Sequence, residues 1–431
     1  MRPATARPPG RGLQSPGWGA VGAARDAARS LTVCKVWDAE YPWDVRVEKI
    51  ARALTGAGHA VHLVARNRRG DPATEHLSEG TVHRLTPWSW APQWLNAASM
   101  FPAFFNPRWI GAITRTARRV PADLILCRDL PLAVPAILAG RQVGIPVVLD
   151  LAENYPAMLR SRWEAGRMRP IDAIVRNPGL ARLVERWVLP RVDHVLVVIE
   201  EAGSRLVAHG LAPERLTVVS NTPSLERLAR SRRRAIAPDA PLHVVYLGLM
   251  EETRGVRILL DAAALLARRA VPFRLTLYGG GRELPDFRAH ARALGLTASQ
   301  ADFRGHVPNA EALAALPEAD VGVIPHFADE SWHTTVPNKL FDYMAAGLAV
   351  VTSDARPAAR IIRETGAGLV YRHPDVAELA RAITALVDPD VRFACAQHGR
   401  AAVRETYHWE RDAERLLDAL QRVVAGGGRR P

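Results

Sequence analysis

A lysine and an aspartate lie three residues apart at the start of a predicted helix, in a stretch that could bind an anion. Lys339 and Asp342 share one helix face at this spacing, and Thr334 and Thr335 lie just before them. A cation in the first turn is unfavourable for the helix itself, because the field there favours negative charge. Backbone amides, hydroxyls and one lysine could together hold a diphosphate. An ordinary surface ion pair is the alternative interpretation.

Two apolar runs flank this helix and predict a strand–loop–helix–strand unit. Residues 321–325 and 348–352 have the length and composition of buried parallel strands. Pro337 fits the first turn, the two threonines are candidate caps, and Gly347 is placed to end the helix in a left-handed conformation. In an open α/β sheet the loop and the helix N-terminus then lie at the carboxyl edge, where ligands bind.

The bulk composition predicts a two-domain globular protein. A chain of 431 residues is long for one domain, and 48% hydrophobic and 23% charged residues suit packed cores. The formal net charge of +13 favours anionic partners such as nucleotides, nucleic acid or an acidic membrane face. No nucleic-acid-binding motif accompanies the arginines, so we expect no nucleic-acid partner. Cys34, Cys127 and Cys395 lack metal-ligand spacing, so we expect reduced thiols and no metal site.

Alternating strand and helix patterns predict an α/β fold with doubly wound parallel sheets. The predicted organisation is a disordered basic tail (1–30), an N-terminal Rossmann-like domain (31–222), a linker (223–240), a second Rossmann-like domain (241–405) and a terminal helix (406–425). We expect that helix to cross back to the first domain and the linker arginines to form a solvated face. No apolar run reaches the roughly 18 residues of a membrane span, which predicts a cytoplasmic protein.

Polar residues follow several predicted strands of the first domain. Asp44 and Arg46 open the helix after the first strand, where Arg46 is the better candidate to bind an anion and Asp44 fits a helix cap equally well. Asp129 and Glu153 follow two further strands and face the same crevice. Either could bind acceptor hydroxyls or act as a base, and either could instead cap a helix. The first loop lacks the three-glycine turn of dinucleotide-binding folds, which disfavours an NAD-linked dehydrogenase.

Residues 86–119 are rich in aromatic residues and arginine. The aromatic positions are Trp88, Trp90, Trp94, Phe101, Phe104, Phe105 and Trp109, and the basic ones are Arg108, Arg115, Arg118 and Arg119. Indole rings beside arginines suit an anionic bilayer interface, which would make the protein peripheral on the inner face of the plasma membrane. A helical insertion with the aromatics in its core is the other interpretation, and both stay open.

The stretch PNKLFDYMAAGLAVV, residues 337–351, resembles the donor-binding signature of family-four retaining glycosyltransferases with the GT-B fold. With weaker matches elsewhere, the resemblance covers most of residues 31–405. It implies two Rossmann-like domains that face a central cleft, with a nucleotide-sugar donor held by this helix. The family commonly has two glutamates separated by seven residues here, and this chain has Thr334 and Asp342 instead.

The resemblance also implies roles for individual residues. It makes Lys339, Arg254 and Glu153 the catalytic candidates, and Arg254 a ligand of the donor phosphates. Leu249 and Ala152 stand where relatives have an arginine and a histidine. The donor-binding residues that it implies are Asp342, Thr334, Thr335, Pro337, Asn338, Gly248, Gly279, Gly280 and the main chain of Val307.

The expected activity is transfer of a hexosyl unit, with retention, from a nucleotide diphosphate to an acceptor hydroxyl. The acceptor would be a glycan or a lipid-linked glycan intermediate of polysaccharide biosynthesis. We expect no cofactor and no metal, because Lys339, Arg254 and the helix N-terminus would supply the positive field. A sugar-nucleotide 2-epimerase shares the architecture and is one alternative. A non-catalytic binding module is another, because Leu249, Ala152 and Thr334 replace expected polar groups.

Overall fold

The computed structural model describes residues 29–42, 44–99, 103–164, 176–230 and 240–426. Residues 1–28 of the predicted tail, Phe101, and residues 231–239 of the predicted linker lie outside these ranges. Within them the chain forms two parallel-sheet domains, which confirms the α/β fold class predicted from the sequence.

The first domain is built on an eight-stranded sheet in the order β3-β4-β2-β1-β5-β6-β7-β8. Its strands are β1 (Thr32–Val36), β2 (Ala60–Arg66), β3 (Thr74–Leu77), β4 (Gly80–Leu85), β5 (Leu124–Arg128), β6 (Val147–Leu151), β7 (His194–Val197) and β8 (Leu216–Val218). Its helices are α1 (Val45–Gly56), α2 (Gln93–Ala98), α3 (Pro107–Arg119), α4 (Ala133–Val143), α5 (Tyr155–Glu164), α6 (Pro178–Val188) and α7 (Glu200–Ala208). The next helix, α8 (Leu225–Arg230), lies in the predicted linker and packs against the second domain. The β3–β4 pair is antiparallel and the other pairs are parallel.

The second domain is built on a six-stranded parallel sheet in the order β11-β10-β9-β12-β13-β14. The strands are β9 (Leu242–Leu247), β10 (Phe273–Tyr278), β11 (Ala301–Gly305), β12 (Val321–Ile324), β13 (Ala349–Ser353) and β14 (Gly368–Tyr371). The helices are α9 (Val256–Arg268), α10 (Leu284–Ala293), α11 (Asn309–Ala315), α12 (Lys339–Ala346), α13 (Arg356–Thr365), α14 (Val376–Ala385), α15 (Pro389–Glu405) and α16 (Trp409–Gly426).

In each sheet one strand marks the point where the chain reverses its direction of travel across the sheet. β1 lies between β2 and β5, and β9 lies between β10 and β12. Strands β5, β6 and β13 are buried along their whole length, as the continuous apolar runs of the sequence predict for strands covered on both faces. The loops after β1 and β9 are therefore the expected ligand-binding loops of the two domains.

The final helix, α16, packs on the N-terminal sheet. Its buried residues Trp409, Leu416 and Leu420 share one apolar cluster with Val33 of β1 and Ile50 of α1. At the start of this helix, the Asp412 carboxylate accepts a hydrogen bond from the Thr222 hydroxyl at 2.5 Å, which fixes the helix beside the end of the first domain.

The aromatic segment divides between core and surface. Trp109 and Phe104 are buried in the core beside α4, so the insertion interpretation holds for them. Trp90, Trp94 and Phe105 are exposed, at 74%, 71% and 56%. Among the helices within the described ranges, none combines the length and apolar character required to cross a bilayer.

Candidate active site

A cleft of about 480 Å³ lies between the two domains, where the loops after β1, β6, β9 and β12 meet. A volume of this size suits a small-molecule ligand. Its charged lining residues are the cations Arg46, Lys49, Arg128, Arg162, Arg227, Arg254 and Lys339 and the acids Asp44, Glu153, Glu251 and Asp342. The excess of cations favours an anionic ligand.

Lys339 is the first residue of α12 and is almost fully buried, at 7% exposure. Its Nζ lies 3.2 Å from Nε2 of His326 and 4.2 Å from the ring centre of Tyr246. Burial, and then the positive charge of Arg254, lower the pKa of Lys339 well below its ordinary value, against a smaller opposing effect of Asp342. The side chain lines the cleft, so an anion bound there would restore the stability of the ammonium form.

Arg254 reaches the same cleft from the loop after β9. Its Nε donates to Glu251 at 3.3 Å, and its guanidinium lies 5.5 Å from the ring centre of Trp332. Gly255 has φ +70°, and a Cβ there would lie 1.7 Å from the Pro325 carbonyl oxygen. The chain can therefore press this loop against the segment after β12 only with glycine at position 255. That contact brings Arg254 and Lys339 to one wall of the cleft.

Gly248, at the end of β9, makes room for the lysine. It has φ +154°, and a Cβ there would lie 2.6 Å from Nζ of Lys339. Gly279 packs against it in turn, since a Cβ on Gly279 would lie 1.7 Å from the Gly248 carbonyl oxygen. Gly248 and Gly279 were predicted to let the backbone approach a donor. In the structure they let the loops after β9 and β10 pack together beside Lys339.

Asp342, predicted to bind the nucleotide-sugar donor, lines the cleft one turn after Lys339. It forms an ion pair with Arg227 of α8 at 3.1 Å. Burial raises its pKa, while Arg227 and then Lys49 act to lower it. The prediction that the linker arginines form a solvated face is wrong for Arg227, because residues 225–230 fold as a helix that turns this side chain into the cleft.

Arg46, predicted as an anion ligand, lines the cleft but makes its described hydrogen bonds within the protein. It is 2% exposed, and its guanidinium donates to both carboxylate oxygens of Asp150, with Nη2 2.6 Å from Oδ1. Its Nη1 donates to the Val219 carbonyl at 2.8 Å. Nε, Nη1 and Nη2 thus all donate within the protein, so Arg46 joins α1 to β6 and to the residue after β8.

The remaining predicted residues of the first domain surround Arg128. Asp44 caps α1 by accepting from the Val47 amide at 2.8 Å, and its other oxygen lies 3.8 Å from Arg128. Asp129 has φ +59° and accepts from the Ala152 amide at 3.1 Å. Burial, opposed by Arg128, raises the pKa of Asp129 to about 6. Asp129 is not among the cleft-lining residues, whereas the exposed Glu153 is one of them.

The threonines before α12 join the two domains and do not cap the helix. Thr334 accepts from the side-chain amide of Asn154 at 3.0 Å, and Thr335 donates to the Ala152 carbonyl at 3.2 Å. The N-cap residue is Asn338, so Pro337 lies one residue outside the helix rather than in its first turn. Thr335, Pro337 and Asn338 line the cleft.

Some predicted donor-binding residues lie beyond the cleft lining, namely Thr334, Gly248, Gly279, Gly280 and Val307. Their proposed contacts with a nucleotide stay a prediction. Gly347, in contrast, has the left-handed conformation predicted for it, with φ +78°.

Sequence reasoning missed His326, Lys49 and Trp332 at this site. The chain has 57 lysines and arginines, of which three are lysine: Lys35, Lys49 and Lys339. Lys49 and Lys339 line the cleft, and Lys35 is buried in β1 with a pKa that burial lowers to about 8. The scarcity of lysine in an arginine-rich chain was the available signal for Lys49.

Among the described residues, no group of three or more His, Cys, Asp or Glu side chains is arranged to hold a metal ion.

Two parallel-sheet domains enclose a basic cleft between the loops that follow their central strands, an arrangement suited to an anionic ligand. The family described as "Glycosyl transferases group 1" matches residues 241–389, and the "Glycosyl transferase 4-like domain" matches residues 44–222. The chain belongs to this family of group 1 glycosyltransferases, as the sequence resemblance indicated.

Two curated relatives illustrate the match. The chain is 30% identical to the phosphatidyl-myo-inositol mannosyltransferase of Mycobacterium leprae, over 66% of this chain and 69% of that protein. It is 26% identical to the 2-deoxystreptamine glucosyltransferase of Streptomyces kanamyceticus, over 88% of this chain and 98% of that protein. The chain is therefore a glycosyltransferase.

Solved structures share the fold. Sucrose-phosphate synthase from Thermosynechococcus elongatus superposes with a TM-score of 0.75 at 18% identity, covering 92% of this chain and all of that one. Anabaena HepE in complex with UDP-glucose superposes with a TM-score of 0.64 at 14% identity, over 91% of this chain and all of that one. The neighbours are GT-B glycosyltransferases, so the GT-B architecture predicted from the sequence is confirmed.

Proposed function

We propose that this glycosyltransferase moves a hexosyl unit from a nucleotide diphosphate to an acceptor hydroxyl, with retention at the anomeric carbon and without a metal. The observation that carries the proposal is the position of Lys339 and Arg254 on one wall of a single cleft. The structure could have placed them on separate surfaces, which would have removed the basis for a shared phosphate site.

The chemistry depends on the leaving diphosphate. Its negative charge grows as the glycosidic bond breaks, and fixed cations in a partly dry cleft stabilise that charge. Lys339 supplies a point charge, whereas the fork of Arg254 suits two phosphate oxygens. Glu153, an exposed carboxylate of the first domain that lines the cleft, would orient an acceptor hydroxyl. A UDP-glucose complex of a structural neighbour supports a nucleotide-sugar donor for this chain.

The decisive experiment measures acceptor-dependent release of nucleotide from UDP-, GDP- and ADP-sugars. We expect release to require an acceptor, to continue in EDTA, and to give a product with the donor's anomeric configuration by proton NMR. Lys339→Ala should abolish most of this release, whereas Arg372→Ala, at an exposed ion pair away from the cleft, should not. Isomerisation of the donor without acceptor would identify an epimerase, and binding without turnover would identify a binding module.

We also propose that the acceptor is lipid-linked and that the protein meets it at an anionic membrane surface. Trp88 stacks on Trp90 with ring centres 5.4 Å apart, and Arg108 lies 4.2 Å above Trp88. With Trp94 and Phe105 also exposed, this surface combines indole rings and positive charge, the composition of an interfacial anchor. The phosphatidyl-myo-inositol mannosyltransferase relatives support a lipid acceptor.

Flotation with anionic liposomes tests this proposal. We expect the wild type to float with the vesicles and the triple variant Trp90→Ser, Trp94→Ser, Phe105→Ser to remain at the bottom. Phe104 is unsuitable for such a variant because it is buried. Phe393→Ser is the matched control, since Phe393 is 59% exposed on α15 of the other domain. Wild-type protein that stays unbound, or a triple variant that still floats, would exclude this surface as the anchor.

A further inference from the structure

The ammonium group of Lys339 is enclosed on three sides. His326 Nε2 lies 3.2 Å from Nζ, the ring of Tyr246 lies beneath it, and the backbone of Gly248 closes the third side. The remaining direction is the cleft. A lysine in a loose pocket would sample many rotamers, whereas this enclosure holds Nζ at the mouth of the donor site.

His326 is the polar member of the enclosure and is 1% exposed. When Lys339 is charged, its ammonium group donates a hydrogen bond to Nε2, so the neutral imidazole carries its own proton on Nδ1. That Nδ1 is buried and has no hydrogen-bond partner among the described residues. Leaving a buried donor unpaired is unfavourable, so a histidine whose purpose was only to fill space would be better replaced by an apolar side chain.

The groups that face this pair keep the imidazole neutral. Burial, then Lys339, then Arg254 lower the pKa of His326 well below its ordinary value. Asp342, on the same helix as Lys339, acts to raise the pKa of the lysine, but its carboxylate also forms an ion pair with Arg227. A neutral acceptor can thus orient the ammonium without cancelling its charge, which a carboxylate in the same place would do.

We infer that His326 is the positioning residue that aims the Lys339 ammonium at the donor diphosphate. The inference rests on the proposed nucleotide-sugar site and adds a residue that touches Lys339 rather than the substrate. Trp332, which lines the cleft, packs on the imidazole with ring centres 3.8 Å apart and keeps its plane in place. His326 comes from the loop after β12, which Gly255 holds against the Arg254 loop.

Three variants separate orientation from packing. His326→Gln places an amide oxygen near the position of Nε2, where it can still accept from Lys339. The side chain of His326→Asn is too short to reach that position, and His326→Leu removes the acceptor. We expect the Leu and Asn variants to bind inorganic pyrophosphate about tenfold more weakly by calorimetry, the scale of one hydrogen bond to a charged group. The Gln variant should stay within about threefold of the wild type. If the Leu variant fails to fold, the Asn variant makes the same comparison.

Lysine NMR reads the same effect directly. Because the chain contains three lysines, protein labelled with ¹³C at the lysine ε-carbon gives three signals, and the signal lost in Lys339→Arg identifies Lys339. In the free protein, the Leu variant should lower the pH at which the Lys339 signal titrates, since the charged form loses its acceptor. Addition of pyrophosphate to the wild type should raise the pH at which the Lys339 signal titrates.

Two results would overturn the inference: a Lys339 titration unchanged between the wild type and the Leu variant, or a Gln variant as impaired as the Leu variant. Neither measurement requires turnover. If the wild type transfers no sugar while the Lys339 signal responds to His326 and to pyrophosphate, the proposed reaction fails and the positioning role stands. The full chain is used throughout, since both domains build the cleft.

Discussion

On the N-terminal wall of the cleft, Arg46 meets a buried carboxylate through paired hydrogen bonds, whereas on the C-terminal wall Lys339 meets an imidazole and an aromatic ring. Both cations lie in the first turn of a helix that follows a parallel strand, so their sequence settings look alike. Arg46 is neutralised by Asp150 and serves the fold. Lys339 lacks such neutralisation and keeps its charge available for an anion.

The comparison predicts the largest effect for Arg46→Met. This change removes the guanidinium that hydrogen-bonds the buried Asp150 carboxylate and leaves that carboxylate with Arg128 at 4.0 Å, which should reduce the free energy of unfolding by about 3 kcal/mol. Urea denaturation measures it, with the exposed Arg372→Met as control, expected within about 0.5 kcal/mol of the wild type. An Arg46→Met protein that is as stable as the wild type but fails to bind donor would show that Arg46 binds the ligand and is not required for the fold.

Lys339→Ala should show the opposite pattern. We expect turnover to fall by about a hundredfold or more, the scale of removing one preorganised charge contact. Stability should be unchanged or higher, because the variant removes a buried cation whose pKa is already lowered by burial. Steady-state kinetics and thermal denaturation of the same preparation test both parts, and near-normal turnover would remove Lys339 from the mechanism.

The Asp342–Arg227 pair tests the contact between the helix of Lys339 and α8. If Asp342 holds the donor ribose, Asp342→Asn should weaken donor affinity by about tenfold, the scale of a hydrogen bond to a charged group. Arg227→Met removes the ion pair but keeps the carboxylate, so affinity should remain within about threefold. Calorimetric titrations compare the two, and equal losses would assign the effect to the ion pair.

The smallest expected effect is a pH dependence of donor affinity. Burial lowers the pKa of Lys339, so its positive charge is lost as the pH rises through a range below that of an ordinary lysine. Affinity should therefore fall several-fold as the pH rises through that range. Lys339→Arg keeps its charge throughout, so its weaker affinity should not vary with pH. A parallel decline in both proteins would point to another group.

Much of the fold was predictable because its determinants are local. The apolar runs predicted most of the strands, and the glycine at position 347 predicted the end of α12. The antiparallel β3–β4 pair escaped prediction because its short strands carry few apolar residues. The helix at residues 225–230 escaped because arginine content resembles a solvated linker when its partner is unknown.

The site was predictable in part. Lys339, Arg254 and Glu153, which the family resemblance made the catalytic candidates, line one cleft. The fate of Arg46 depends on Asp150, which lies 104 residues away along the chain, and no local pattern reveals that pairing. His326 escaped for the same reason, because its role is defined only when the loop after β12 meets Lys339. Tertiary contacts decide which charged residues are free.

The packing of α16 on the first domain has a consequence for synthesis. Trp409, Leu416 and Leu420 cover an apolar surface formed by residues near the beginning of the chain, such as Leu31 and Ile50. These residues are synthesised early, so the apolar surface that they form stays exposed until the last helix has been translated. The N-terminal half is therefore not an independent unit, and a protein shortened before residue 409 should aggregate through the uncovered face.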